Sequence, residues 1–199
     1  FAEIILEYLI SAGIPPTAVI CNPDRPVGRK QVITPPPTKV LAQKHGIPVW
    51  QPEKLSGFAR SREAREISKV DLAVVAAYAK ILPKEIIDLP QLGTIGVHPS
   101  LLPKYRGATP IQSAILNCET ETGVTLFLID AKVDHGPILA NSKLPIQNLT
   151  SNSLSIRKSL KYSYLLSTCA ASSDGFVVTI VLPKSSPRVK PTSGSPDCF

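Results

Sequence analysis

The chain has no Cys-x-x-Cys pair. Its four cysteines, Cys21, Cys118, Cys169 and Cys198, stand far apart, and only three histidines, His45, His98 and His135, accompany them. That argues against a zinc site of the usual spacing, and a reducing compartment fits thiols so dispersed. No apolar run approaches the length needed to cross a membrane, and no charged segment followed by an apolar one opens the chain. There is no Gly-x-Gly-x-x-Gly and no Walker loop, so no nucleotide cofactor is indicated. An initial methionine is also missing: the chain starts at Phe1, within a helical pattern, which leads us to expect residues ahead of it.

What is there is a globular composition, 43% hydrophobic and 19% charged, in 199 residues, enough for one sizeable core and a small appendage. A net charge of +7 suggests an anionic partner, nucleic acid being the usual one. Ile5, Tyr8, Leu9 and Ala12 share one face of a helix over residues 2–12, with Gly13 as its stop. Short strands are expected at 17–21, 47–50, 71–77, 94–97 and 124–129, and helices at 39–45, 57–68, 83–88 and 109–116. Asn22 to Pro37 reads as a long loop without regular structure, because Pro23, Pro26 and the run Pro35, Pro36, Pro37 interrupt it. This alternation predicts an α/β fold with an open, mostly parallel Rossmann-like sheet, whose ligands sit beyond the carboxyl ends of the strands. Tyr78 and His98 each follow a strand and are expected at one crevice. From Ser151 to Phe199 the chain turns rich in Ser and Pro, with Asp174 and Asp197 as its acids. This irregular tail reads as linker, apart from a possible strand at 176–182.

The segment from Thr94 to Leu139 carries the chemistry. One β-type run delivers His98 into a loop stiffened by Pro99 and Pro103, and a second, Val124 to Ile129, feeds a turn bearing Asp134. An imidazole and a carboxylate brought together by two strand ends are the minimal equipment for proton transfer near neutral pH. His135 has no ligand-type neighbour beyond Asp134, so no metal is expected there.

His98-Pro-Ser-Leu-Leu-Pro-Lys-Tyr-Arg-Gly resembles the folate-dependent formyltransferases, and among them the methionyl-tRNA formyltransferase family. So do Asn22-Pro-Asp-Arg-Pro-Val-Gly-Arg, His45-Gly-Ile-Pro-Val, Gln51-Pro-Glu-Lys-Leu, Ala77-Tyr-Ala-Lys-Ile-Leu-Pro and the stretch from Glu121-Thr-Gly-Val-Thr through Leu139. The resemblance covers about residues 1–145. It implies a catalytic domain over 1–150, and an atypical segment over 151–199 in place of the family's tRNA-binding domain. It also implies transfer of a formyl group from 10-formyltetrahydrofolate to the amino group of methionyl-tRNA, the initiator tRNA, without a metal, by a monomer in the cytoplasm, or in an organelle of a eukaryote. His98 would polarise the formyl oxygen, and Asp134 would orient or charge it and relay protons. Ser100, Leu101, Leu102 and Pro103 would bind the reduced folate, with Ala79, Lys80, Ile81 and Leu82 as a second folate segment. Arg25, Arg29 and Lys30 would reach the tRNA.

Two departures stand out. Gly96 occupies the position of the family's Asn, two residues before His98, and a glycine has no side chain to hold an oxyanion, a loss worth ~10²–10³ in rate. Gly96→Asn is therefore expected to restore rate in an otherwise sound scaffold. The family's first strand, which would lie in mid-sheet, is expected ahead of Phe1. Two alternatives follow: a formyltransferase acting on a sugar nucleotide or glycinamide ribonucleotide, or a catalytically impaired folate- or tRNA-binding remnant.

Overall fold

A computed structural model describes residues 1–77, 82–146 and 178–182. Helix α1, Ala2–Ser11, buries Ala2 and Leu6 and half-buries Ile5 and Leu9, whereas Tyr8 is exposed. The expected stripe was thus rotated: Tyr8 lies outside the arc that Ala2 and Leu6 centre on the sheet. Strand β1, Ala18–Ile20, is buried throughout. The stretch expected to lack regular structure instead folds into a hairpin of β2, Arg25–Val27, and β3, Val32–Thr34. Its register pairs Arg25 with Thr34, Pro26 with Ile33 and Val27 with Val32. A proline is tolerated in such a two-stranded ribbon because each strand has a free edge toward which a missing N–H can point.

Helix α2, Pro37–Lys44, opens on the last of the prolines, where an N–H would find no helical partner anyway. Strand β4, Val49–Trp50, follows. The single helix expected over 57–68 is two pieces: α3, Leu55–Phe58, and α4, Arg62–Ile67. Ser61 interrupts them, its hydroxyl capping α4 by accepting from the Ala64 N–H at 3.2 Å. Then come β5, Leu72–Ala76; α5, Lys84–Ile87; β6, Thr94–His98; α6, Pro110–Leu116; β7, Glu121–Leu128; β8, Ile138–Pro145; and β9, Val178–Leu182.

Seven strands form one sheet in the order β4-β1-β9-β5-β6-β7-β8. β4 runs parallel to β1 and β5 parallel to β6. β9 is antiparallel to both β1 and β5, and β7 is antiparallel to both β6 and β8. Consequently β4, β1, β5, β6 and β8 all point one way, and only β9 and β7 oppose them, as the expected open, mostly parallel α/β sheet requires. The mid-sheet position between β1 and β5 belongs to β9.

Around β1 and β5 both faces of the sheet are covered. Val19, Val74 and Ala76 join Ala2 and Leu6 of α1, Ala42 of α2 and Ile47 in one core cluster. Ile20, one residue on from Val19, joins Phe58, Ala64, Ile67, Val70 and Ile86 in a second. The switch of face between adjacent strand residues is the period of two that makes β1 apolar along its whole length. Because β1, β5 and β6 share a direction, their carboxyl ends, Asn22, Ala77 and His98, fall on one edge of the sheet, where ligands of open α/β sheets bind. Tyr78, expected at the same crevice, lies outside the described residues.

Candidate functional site

His98 is the last residue of β6, and the alternation of that strand turns Thr94, Gly96 and His98 inward together. At 7% exposure it is no surface histidine. Its Nε2 lies 2.9 Å from the carbonyl oxygen of Tyr105. A carbonyl can only accept, so Nε2–H is the donor, which leaves Nδ1 as the nitrogen facing Asp134. Asp134 Oδ2 is 3.5 Å from Nδ1, a charge contact longer than a good hydrogen bond, and accepts the Gly107 N–H at 2.9 Å. The structure thus brings the two residues together as expected, and adds Tyr105 and Gly107 as the groups that hold them.

The loop between them is tied down from β7. Thr125, paired with His98 across the strands, donates through Oγ1 to the Ser100 carbonyl at 2.7 Å and accepts the Leu102 N–H at 3.1 Å. Ser100 Oγ donates to the Lys104 carbonyl at 2.7 Å. Fully buried and so engaged, the Ser100 side chain faces the loop's interior. Leu102 is buried, Leu101 half-buried and Pro103 exposed. A side chain at Gly123 would collide with the Ser142 carbonyl and with Leu101, so this glycine is what lets the loop lie against β7. Of the second segment expected to bind folate, Leu82 packs against the core cluster around Ile20, and Ala79, Lys80 and Ile81 lie outside the described residues.

Strain gathers here. Ala77, Tyr105 and Asp134 have φ of 52°, 56° and 46°, in a left-handed region that non-glycine residues enter at a cost of about 1–3 kcal/mol each. Ala77 directly follows β5, Tyr105 holds His98, and Asp134 is the paired carboxylate. Such backbone persists only where surrounding contacts over-determine it.

Gly96 is the site's other special position. Phe127 pairs with it across β6 and β7 and lays its buried ring over it, so that a Cβ at residue 96 would fall onto ring carbons Cε1 and Cζ. The register between β7 and β8 shifts at Leu126/Phe127, an irregularity of the kind that re-aims side chains near sites. Gly96→Asn cannot then be the simple gain anticipated from the sequence, because the room for an amide is filled by an aromatic ring.

The basic residues stand apart from this cluster. Arg25, Arg29 and Lys30 are exposed on the β2–β3 hairpin. The hairpin's base is anchored at Asp24, whose carboxylate accepts from Lys39 Nζ at 2.8 and 2.7 Å and from Gln51 Nε2 at 2.8 Å. The Gln51 hydrogen bond, then the Lys39 one, holds the Asp24 carboxyl below the usual carboxylate range. His135 pairs with Asp130 at 2.9 Å, and that bond, followed by one from the Lys132 N–H, lowers the Asp130 carboxyl likewise. Among the described residues, no cluster of three or more His, Cys, Asp or Glu side chains could hold a metal ion. Among them, too, no helix is long and apolar enough to cross a membrane.

Tyr105 and Gly107 lie inside the His98–Gly107 motif, where their residue types alone mark no role. Thr125 and Phe127 are reached only through the β6–β7 register, and no local pattern marks them.

The pattern of the formyl transferase family matches residues 3–163. A methionyl-tRNA formyltransferase from Synechococcus sp. (strain JA-3-3Ab) is 52% identical over 149 residues, covering 74% of this chain and 46% of the relative. One from Lysinibacillus sphaericus (strain C3-41) is 48% identical over 149 residues, 74% of this chain and 47% of the relative. The chain spans about half the length of the curated relatives it matches. Among solved structures, glycinamide ribonucleotide transformylase 1 from Symbiobacterium toebii superposes with a TM-score of 0.60 at 20% identity, over 85% of this chain and 76% of that one, a likeness of fold.

Proposed function

The chain belongs to the formyl transferase family, and on that premise we propose that it carries the formyl-transfer site of a methionyl-tRNA formyltransferase. The observation that carries this reading is the His98–Asp134 pair at 3.5 Å, within a region 52% identical to an enzyme of that name. The donor is 10-formyltetrahydrofolate and the acceptor the amino group of methionyl-tRNA. The amine nitrogen attacks the formyl carbon, and the carbonyl electrons move onto oxygen. As they return, the bond to the folate nitrogen breaks, and the proton lost by the amine ends on that nitrogen.

Nε2 of His98 is committed to the Tyr105 carbonyl, whereas Nδ1 is held by Asp134 only at charge-contact distance. Nδ1 is therefore the nitrogen that meets the reacting groups, with Asp134 sharing its proton and Gly107 fixing the carboxylate. Ser100 to Pro103 offer the folate the half-buried Leu101, the exposed Pro103 and backbone groups. Residues 79–82 are the second folate-binding segment on this reading. Arg25, Arg29 and Lys30 project where an arm could neutralise tRNA phosphates, as the chain's positive charge favours. We place the catalytic domain over residues 1–150, with the C-terminal segment 151–199 contributing β9 to its sheet. No metal takes part. A monomer acting in the bacterial cytoplasm is the setting that goes with this reading.

One observation favours a second reading. With Phe127 over Gly96, the place of an oxyanion donor is apolar, as suits a protein that binds folate and tRNA with little turnover. Single-turnover transfer to charged initiator tRNA, run beside a folate-binding titration, separates the two. Formyl transfer supports the enzyme, and folate binding without transfer supports the binding protein.

A further inference from the structure

The loop after β6 has a second anchor that the reaction leaves unused. The Tyr105 hydroxyl donates to Glu119 Oε1 at 2.6 Å, and Lys104 Nζ donates to the same oxygen at 3.0 Å. Glu119 sits on the corner between α6 and β7, where its own N–H donates to the Ala114 carbonyl at 3.0 Å and the preceding Cys118 adopts a φ of 51°. The carboxylate is thus fixed by a part of the fold remote in sequence from the loop. The shared bond holds the proton on the phenol and the charge on the carboxylate: the Tyr105 hydroxyl is pushed up in pKa, chiefly by Glu119, and the Glu119 carboxyl is held down, first by Tyr105 and then by Lys104.

Tyr105 has two ends. Its phenol is held by Glu119, and its carbonyl accepts Nε2–H of His98. With φ at 56°, this residue has a backbone that would relax to another region if its side chain were released, and its carbonyl would swing with it. Thr125 pins the loop at Ser100 and Leu102, leaving the stretch from Tyr105 onward to be set by Glu119 and by Asp134 at Gly107.

We infer that Glu119 and Tyr105 are positioning residues: Glu119 fixes the Tyr105 ring, the Tyr105 carbonyl thereby fixes the tautomer and tilt of His98, and Nδ1 is presented to Asp134 and the reacting groups. The kinetic side of this inference rests on the formyl-transfer reading; the structural side does not.

The test uses the full chain and the variants Tyr105→Phe, Glu119→Ala, Glu119→Gln and the double Tyr105→Phe/Glu119→Ala. Nitrogen-15 NMR of the histidine rings reads His98 directly. The parent protein should show a protonated Nε2 whose proton exchanges slowly. Tyr105→Phe and Glu119→Ala should make that proton exchange fast, while Glu119→Gln, which keeps an acceptor for the phenol, should preserve it. In single-turnover transfer, the first two variants should lose between about 10- and 100-fold in rate, as a misplacement of this size does, with folate affinity unchanged. The double variant should be no worse than the poorer single one, since both break one chain of contacts. An unchanged His98 ring signal in Tyr105→Phe would overturn the inference, as would additive losses in the double variant. Should the parent show no transfer at all, the formyl-transfer reading fails, and the ring-proton measurement still decides the positioning role.

Discussion

The loop 98–107 and the hairpin 25–34 are both proline-punctuated, and both are expected to meet substrate, yet they are built oppositely. In the first, Thr125, Glu119 and Asp134 close on the loop from three places in the fold, and Ser100 and Leu102 are buried. In the second, β2 and β3 pair with each other in a sheet of two among the described residues, residues 25–35 are all exposed, and the base is held through Asp24, Lys39 and Gln51. Proline content does not make the difference, since Pro99 and Pro103 serve a rigid loop and Pro26 an outstretched arm. What differs is whether side chains from distant elements supply the hydrogen bonds. Proton transfer needs geometry held to fractions of an ångström, whereas phosphate contacts need charge and reach.

Breaking the rigid side should have the largest effect. His98→Ala and Asp134→Ala are expected to lower single-turnover formyl transfer by roughly 10²–10⁴, the usual worth of a positioned acid or base. Asp134→Asn sharpens the result, because an amide oxygen still accepts the Gly107 N–H and asparagine tolerates a positive φ. A loss as large in Asn as in Ala shows that the charge matters and the orientation does not suffice.

Next comes the Gly96 position. Gly96→Asn alone should destabilise the fold by about 1–3 kcal/mol through overpacking against Phe127, measured by denaturant unfolding. Combined with Phe127→Val the cost should shrink, and the rate should rise toward the ~10²–10³ of one oxyanion donor. An unchanged stability in the single variant would mean that the ring moves aside freely.

The arm should respond differently. Neutralising Arg25, Arg29 and Lys30 should reduce the salt dependence of tRNA binding by up to about 0.9 log unit per lost phosphate contact, with folate binding untouched. A constant slope would show that these charges are merely solvated.

Smaller still is a pH effect at the arm's base. Asp24 has a folded-state pKa held below its unfolded value, so its contribution is present above the unfolded pKa and fades as pH falls through the folded one. Protection of the hairpin amides, taken relative to the intrinsic exchange rate at each pH, should therefore fall only below about pH 4, and Asp24→Asn should remove that loss.

Much of this was open to reading. Apolar runs mark β1, β5, β6 and β7, and the ends of two of them point to His98 and Asp134, because local patterns report what a strand buries and where it ends. Other features had no local mark. The strands of the hairpin are too short to alternate, and every residue of β8 is exposed, so no buried face imprinted a period on it. Phe176 to Leu182 looked like a strand, but nothing within it says that Val178–Leu182 lies between β1 and β5. The Phe127 ring over Gly96 and the Glu119 carboxylate under Tyr105 depend on register and on a helix–strand corner, which exist only once the chain has folded.

Single-turnover formyl transfer from 10-formyltetrahydrofolate to charged initiator tRNA, comparing the protein with Asp134→Asn at equal folate occupancy, tests most directly whether the His98–Asp134 pair moves the proton. Measurable transfer by the protein and a loss of at least about 10² in the variant is the expected result. Equal rates in the two, or no transfer by the protein with folate bound, would contradict it.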